Sequence, residues 1–292
     1  MRSSSEHVPV NNSGKRGFDS ENVFTVRTVE DIIALREIAR GRQCCIMVGG
    51  GLLGIEIAHA LCSLGLEVTV VEYFDRLIPR QLDEEGSHLL KEMLQKKGLK
   101  FILGAQSTAI KDVEGEKHLI IKGEQTLCCE FIVMSVGIRP VVTLACDAGL
   151  TVARGIVVDN YLRTSNKDIF AAGDCAEHNG IIYGLWSVAM EQGDIAGGNM
   201  VAPEREYEGT TTSTMIKVAG IELASIGTID HEGDDSVSEI KKTDVEANYY
   251  KKFFLKDKQV CGAILIGCGS ESMKIKKLIH DKVIIENPES LL

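Results

Sequence analysis

The stretch Cys44-Cys45-Ile46-Met47-Val48-Gly49-Gly50-Gly51-Leu52-Leu53-Gly54-Ile55-Glu56 constrains the fold more than any other part of the chain. An apolar run stops at a glycine turn, and a helix-like pattern follows at once through Ile57, Ala58, Ala60 and Leu61. Gly49, Gly51 and Gly54 have the GxGxxG spacing, in which the glycines serve a tight turn, backbone approach to a pyrophosphate, and close packing of helix on strand. The helix start then offers N–H groups and a positive dipole end to phosphates. Gly49, Gly50, Gly51, Leu52, Leu53 and Gly54 are therefore the candidate pyrophosphate contacts, with a purely structural glycine turn as the alternative. A second apolar run, Leu66 to Val71, ends in Glu72, where a dinucleotide fold needs a carboxylate for an adenosine ribose.

Charge selects the nucleotide. A 2′-phosphate beside Glu72 would be repelled, and the next residues are Tyr73 and Phe74 rather than arginines, so NAD(H) is favoured over NADP(H). Arg76 and Arg80 are the counterweight. Tyr73 joins the candidate cofactor contacts. The net charge of -10 excludes a broad nucleic-acid surface, which needs a basic footprint. No apolar run approaches the ~20 residues of a membrane span, and Met1 to His7 lacks the apolar core of a signal peptide. A cytoplasmic protein is expected. The nine cysteines show no CxxC and no zinc-like Cys/His spacing, so buried reduced thiols are expected and no metal site.

Residues 1 to 22 are polar and aperiodic. Thr28 to Arg40 reads as a helix capped by Thr28, with Asp31 at the capping-box position. A second helix from Asp83 to Lys97 ends at Gly98. Phe101 to Leu103 is a short strand, and Ser107 to Val113, His118 to Lys122 and Cys128 to Val136 form a meander. This alternation fits a doubly wound domain with a β-meander crossover. Gly137, just past the last strand, either touches the nucleotide at the switch point or serves as a turn glycine. Farther on, Ile156 to Asp159 and Leu162 to Ser165 precede Asp168 to Ala172, which reads as a short apolar strand ending in Gly173-Asp174, and a helical pattern runs through Val188, Ile195 and Met200. Val218 to Ile229, Tyr249 to Leu255 and Val260 to Ile266 are strand-like, with a last helix over Ser272 to His280. Asp230, Glu232, Asp234 and Asp235 read as a solvated loop, His178 as an exposed loop histidine, and His59 and His88 as helix residues without ligand roles.

Three motifs together resemble the FAD-dependent pyridine nucleotide-disulfide oxidoreductases: Val48 to Glu56, then Glu72 with Arg76-Leu77-Ile78-Pro79, then Thr164 through Asp174. The segments from Thr212 to Ile221 and Gly262 to Gly267 resemble the branch with NAD(P)H-nitrite reductase flavin modules and NADH:rubredoxin reductases. The resemblance implies an α/β fold: a Rossmann-like NAD-binding domain inserted in a partial FAD-binding domain, plus a C-terminal α+β domain. Its boundaries are 1–40 for an FAD-domain remnant and linking helix, 41–152 for the NAD domain, 153–202 for the second FAD segment and 203–292 for the last domain. It further implies NAD(H) and FAD as cofactors, with Gly173 and Asp174 on the FAD ribityl chain. The same resemblance implies hydride transfer from nicotinamide to flavin, with rubredoxin, a nitrite-reducing centre or oxygen as the expected electron acceptor.

The resemblance also implies a role for Glu56 as the catalytic candidate, reaching the nicotinamide carboxamide or the flavin edge. Its other reading is a first-turn glutamate stabilised by the helix dipole. Trp186 either covers the flavin or packs in the core. Family members carry an earlier GxGxxG for the FAD pyrophosphate, and nothing before Gly49 offers one. The expectation is a chain that starts late within the FAD domain, with weak flavin binding alone and an exposed apolar face where that half would pack. Completion by a homodimer partner or a complementing N-terminal half, or a plain NAD(H)-binding role without catalysis, are the rival expectations.

Overall fold

The computed structural model describes residues 20–292 apart from Glu124, Pro203, Glu204, Glu232 and Gly233. Most of the polar N-terminal segment, and Glu232 of the acidic loop, lie outside the described residues. The chain divides into two compact units, one of residues up to Gly137 together with Ser213–Leu292, the other Ile138–Thr212.

In the first unit, β1 (Val23–Thr25) leads into α1 (Val29–Ala39), β2 (Cys44–Val48), α2 (Leu52–Ser63), β3 (Glu67–Val71), α3 (Glu84–Gln95) and β4 (Lys100–Ile102). Then come β5 (Ser107–Val113), β6 (Glu116–Ile121), β7 (Thr126–Cys129) and β8 (Phe131–Met134). Five strands form a parallel sheet in the order β1-β8-β2-β3-β4, while β5, β6 and β7 make a separate antiparallel meander. Strand β2 is apolar throughout because both its faces are covered. Cys45 and Met47 pack with Ile55, Ala58 and Leu61 of α2. Ile46 and Val48 point the other way, to Ile110, Leu119 and Ile121 of the meander.

Local signals set the helix ends. Thr28 Oγ1 accepts from the Asp31 N–H at 3.2 Å and Asp31 Oδ2 accepts from the Thr28 N–H at 2.9 Å, a complete capping box. Asp83 caps α3 through the Gly86 N–H at 3.0 Å, and Gly98 ends that helical run at φ 95°. One expected strand, Cys128 to Val136, is in fact two. The carboxylate of Glu130 accepts from the Gln43 and Cys44 N–H groups, and there the chain leaves the meander for the parallel sheet.

The smaller unit holds α4 (Thr143–Asp147), β9 (Ile156–Val158), β10 (Ala176–His178) and α5 (Trp186–Asn199). Strands β9 and β10 pair in parallel. The strand expected over Asp168 to Ala172 is absent: Phe170 makes a single bridge to Arg163, and Gly173–Cys175 is a 3-10 turn.

The first unit resumes with β11 (Ser213–Val218), β12 (Ile221–Gly227), β13 (Val237–Asp244), β14 (Tyr249–Lys256), β15 (Gln259–Ile266) and α6 (Ser272–His280). The strands form an antiparallel sheet ordered β11-β12-β15-β14-β13. Of the run from Val218 to Ile229, Val218 ends β11 and the rest contains β12, because Ala219 (φ 49°) and Gly220 (φ 81°) turn the chain back from β11. Tyr250, Phe254, Ile264 and Ile266 of this sheet share one core with Leu89, Leu90 and Leu94 of α3. Asp83 ties the two halves, accepting from Tyr250 Oη at 2.7 Å and Lys252 Nζ at 2.9 Å.

Candidate functional site

The ends of β2, β3 and β8 are pinned side by side. The Gly49 N–H donates to the Val71 carbonyl, and the Ser135 N–H to the Val48 carbonyl, both at 2.8 Å. Strand order reverses between β8 and β2, so Gly49 and Gly137 flank the switch point where α/β sheets bind ligands. Gly49 has φ 111°, and a Cβ there would lie 2.1 Å from the Ser135 carbonyl oxygen. A Cβ on Gly54 would lie 2.1 Å from the Gly49 oxygen, so α2 packs directly on the turn. Gly51 differs from both: a Cβ there meets nothing within 4 Å. As the N-cap of α2 it offers no side chain, which leaves first-turn amides, including those of Leu52 and Leu53, turned to an open approach. Gly137 is held at φ 90° with open space beside it.

Glu72 follows β3 and is only 7 % exposed. Its Oε2 accepts from the Gly50 N–H and its Oε1 from the Phe74 N–H at 2.9 Å. The carboxylate is thereby fixed against the glycine turn, with acceptor capacity left on both oxygens for hydroxyl donors. Tyr73 and Phe74 are exposed, their rings edge to face at 5.3 Å. They border a cleft of about 510 Å³ with Asp75, Gly104, Gln106 and Lys122. Lys122 escaped the sequence reading because it comes from the distant β6–β7 turn. Arg76 is directed instead toward Asp75, at 3.6 Å.

Glu56 is engaged elsewhere. Its Oε1 accepts from the Ala219 N–H at 2.9 Å, in the turn between β11 and β12. No local signal in the sequence announced a partner so far along the chain.

In the smaller unit, Gly173 sits at φ 77°, and a Cβ there would come 3.2 Å from Cβ of Ala189 on α5. Its N–H donates to Oε1 of the buried Gln192 at 2.8 Å, a positioning contact that sequence reasoning missed. Asp174 is exposed. Trp186 is 84 % exposed at the start of α5, so it is not a core residue, and Val141 and Leu144 are also exposed apolar side chains of this unit. Glu191 accepts from Thr210 Oγ1 at 2.7 Å. The histidine expected in an exposed loop is a correction: His178 lies in β10, 1 % exposed, with Nε2 3.0 Å from Asn160 Oδ1. Burial lowers its pKa despite the nearby Asp159 carboxylate.

All nine cysteines are free thiols. Burial pushes Cys45 and Cys129 up to about 12, which keeps them protonated and unreactive. Cys128 and Cys146, expected to be buried, are exposed. Among the described residues no helix is long and apolar enough to cross a membrane.

Comparison with known proteins agrees with this architecture. Residues 4–193 match the family model described as pyridine nucleotide-disulphide oxidoreductase, and residues 213–283 match the rubredoxin NAD+ reductase C-terminal domain. The chain is 37% identical to the assimilatory nitrate reductase electron transfer subunit of Bacillus subtilis, over 86% of this chain and 32% of the relative. It is 34% identical to a nitrite reductase [NAD(P)H] of the same organism, over 94% of this chain and 34% of the relative. It thus spans about a third of the length of these curated relatives. A ferredoxin reductase from Rhodopseudomonas palustris superposes with a TM-score of 0.81 at 24% identity, covering 92% of this chain and 68% of that one. The glycine turn, the parallel sheet around it and the match to the family model over most of the chain lead to one conclusion: the chain belongs to the pyridine nucleotide-disulphide oxidoreductase family.

Proposed function

We propose that this chain binds NADH at the glycine turn and serves an FAD-dependent reductase that delivers electrons to a protein or metal-centre acceptor. The observation that carries the reading is the contrast among the glycines: Gly49 and Gly54 are closed against backbone, while Gly51 faces open space at the start of α2. A pyrophosphate approaching there meets first-turn N–H groups and the positive helix end. Glu72, already oriented by Gly50 and Phe74, accepts the adenosine ribose hydroxyls and repels a 2′-phosphate. Tyr73 and Gly137 complete the nucleotide contacts. When bound, the nicotinamide supplies a hydride to the flavin, which releases electrons to the acceptor.

In this reading residues 41–152 hold NAD(H), 153–202 contribute the second FAD segment, and 203–292 form the C-terminal domain. Gly173, its N–H anchored on Gln192, sets the turn from which the exposed Asp174 reaches the flavin ribityl chain. The Ala219 bond of Glu56 supports a positioning role, tying the nucleotide-binding helix to the β11–β12 turn; a role at the nicotinamide requires that bond to open. The relatives' names support a redox protein or a nitrite-reducing centre as acceptor.

The test is titration of the purified chain with NADH and, separately, FAD, read by fluorescence and visible absorbance. The reading expects Glu72→Ala to weaken NADH binding at least about tenfold, since two directed hydrogen bonds to a charged group are lost, and Asp174→Ala to leave it unchanged. Equal losses from both variants would refute the separation of the two sites. NADH binding without flavin retention would leave this chain a nucleotide-binding module needing a partner for turnover.

A further inference from the structure

We propose that Glu116, His118 and Cys128 form a site for a zinc-type dication on the outer face of the β5–β6–β7 meander. The site arises from strand alternation. Leu119 and Ile121 of β6 point inward and are buried, so Glu116, His118 and Ile120 share the opposite face. On β7 the same alternation buries Cys129 and turns Cys128 outward. The antiparallel register then sets His118 directly opposite Cys128. One carboxylate oxygen, one imidazole nitrogen and one thiol sulfur thus all lie within 4.8 Å of one another.

A tetrahedral zinc ion with bonds of about 2.0–2.3 Å holds its ligand atoms roughly 3.5 Å apart. Side-chain rotation alone closes the remaining gap, since all three residues are exposed or half-buried. The donor set joins a soft thiolate and a borderline imidazole to one hard carboxylate, and the thiolate and imidazole select zinc, cobalt or nickel over magnesium or calcium. With the thiol proton released to solvent, one carboxylate and one thiolate neutralise the dication. Three protein ligands leave the fourth position to water or to a group from outside. Lys111 faces His118 from β5 and adds one positive charge to the rim, which moderates the affinity. The arrangement was hidden in the sequence because its ligands do not follow zinc-finger spacing; a hairpin register brings Cys128 to the Glu116-x-His118 pair.

The experiment is titration of the reduced full-length chain with Co2+, followed by displacement with Zn2+. The expected result is one equivalent bound, with the thiolate-to-cobalt charge-transfer band and the visible bands of four-coordinate cobalt, both lost on adding zinc. Removing even an outer-shell partner of a bound metal costs about 10–100-fold in affinity, so Cys128→Ser and His118→Ala should each weaken binding at least about tenfold. Glu116→Gln should weaken it in the same direction, while Cys146→Ser should leave the spectrum unchanged. These positions are on the surface, and far-UV circular dichroism verifies that each variant is folded. A charge-transfer band that survives in Cys128→Ser, or cobalt bound without that band, would overturn the proposal. Absence of saturable binding would overturn it as well.

Discussion

Replacing Gly51 and Gly49 separately by alanine distinguishes a glycine kept for ligand approach from one kept for the fold. At Gly51 the backbone has φ -77° and ψ 179°, which alanine adopts freely, and the new methyl group meets nothing within 4 Å. Loss of unfolded-chain entropy stabilises such a variant by about 0.4–1 kcal/mol. The poorer N-cap costs about the same, since alanine ranks below glycine there. The net change is within about 1 kcal/mol, or about 2 °C in Tm for a chain of this size. At Gly49 a φ of 111° adds strain of about 1–3 kcal/mol. The methyl placed 2.1 Å from the Ser135 oxygen adds about 1–3 kcal/mol of overpacking. Gly49→Ala should therefore melt about 4–12 °C lower. Circular dichroism melts and NADH fluorescence titrations measure the two effects separately. Gly51→Ala is expected to keep the wild-type Tm and to lose NADH affinity at least about tenfold, a change of about 1.4 kcal/mol. A stable Gly51→Ala variant that binds NADH like wild type would refute the assignment of this turn to the pyrophosphate.

Three further outcomes follow from the same geometry. His178 is held below its ordinary pKa of 6.5 by burial, so its folded form favours the neutral ring; its contribution to stability is complete above that value and is lost as pH falls through the folded pKa. Urea midpoints at pH 7.5 and pH 5 should therefore differ more in wild type than in His178→Gln, and an unchanged difference would refute the burial argument. Burial pushes the Asp83 carboxyl up, but hydrogen bonds from Tyr250, Gly86 and Lys252 outweigh it and hold the group below the usual range. Asp83→Ala removes the cap of α3 and leaves Lys252 without one of its partners, an expected loss of about 3 kcal/mol in chemical denaturation; Asp83→Asn, which keeps the cap, should lose less. Alkylation followed by mass spectrometry should label the exposed Cys128 and Cys146 before Cys45, Cys129 and Cys268, whose thiols burial pushes up to about 12, 12 and 11.

Features that rest on local chemistry were legible in the sequence. The glycine turn between β2 and α2, the Thr28–Asp31 box, Gly98 and the last helix over Ser272 to His280 were all read from residues within a few positions of one another. Features that depend on distant partners were not. Strand β13, Val237–Asp244, has mostly exposed side chains at a sheet edge, so it lacks the alternation that marks a half-buried strand. The break at Glu130 depends on amides of Gln43 and Cys44, eighty-six or more residues away. His178 is buried because Tyr207 and Asn160 enclose it, and neither is a sequence neighbour. In the candidate site, Glu72 and the glycines were visible as a motif, whereas Lys122 beside the cleft and the Ala219 partner of Glu56 were not.

The position of β8 has a consequence for synthesis. This strand lies between β1 and β2, yet it is made after β4 and the whole meander. Among the described residues β1 pairs only with β8, so it leaves the ribosome roughly a hundred residues before that partner exists, a wait of about 5–20 s at ordinary elongation rates. The apolar face of α3 waits longer still, because the strands that cover it are made only after residue 212. A nascent chain of this kind carries an unpaired strand until β8 is made, and an uncovered helix until β14 and β15 follow. Its yield on expression should therefore depend on how well chaperones shield those surfaces in the interval.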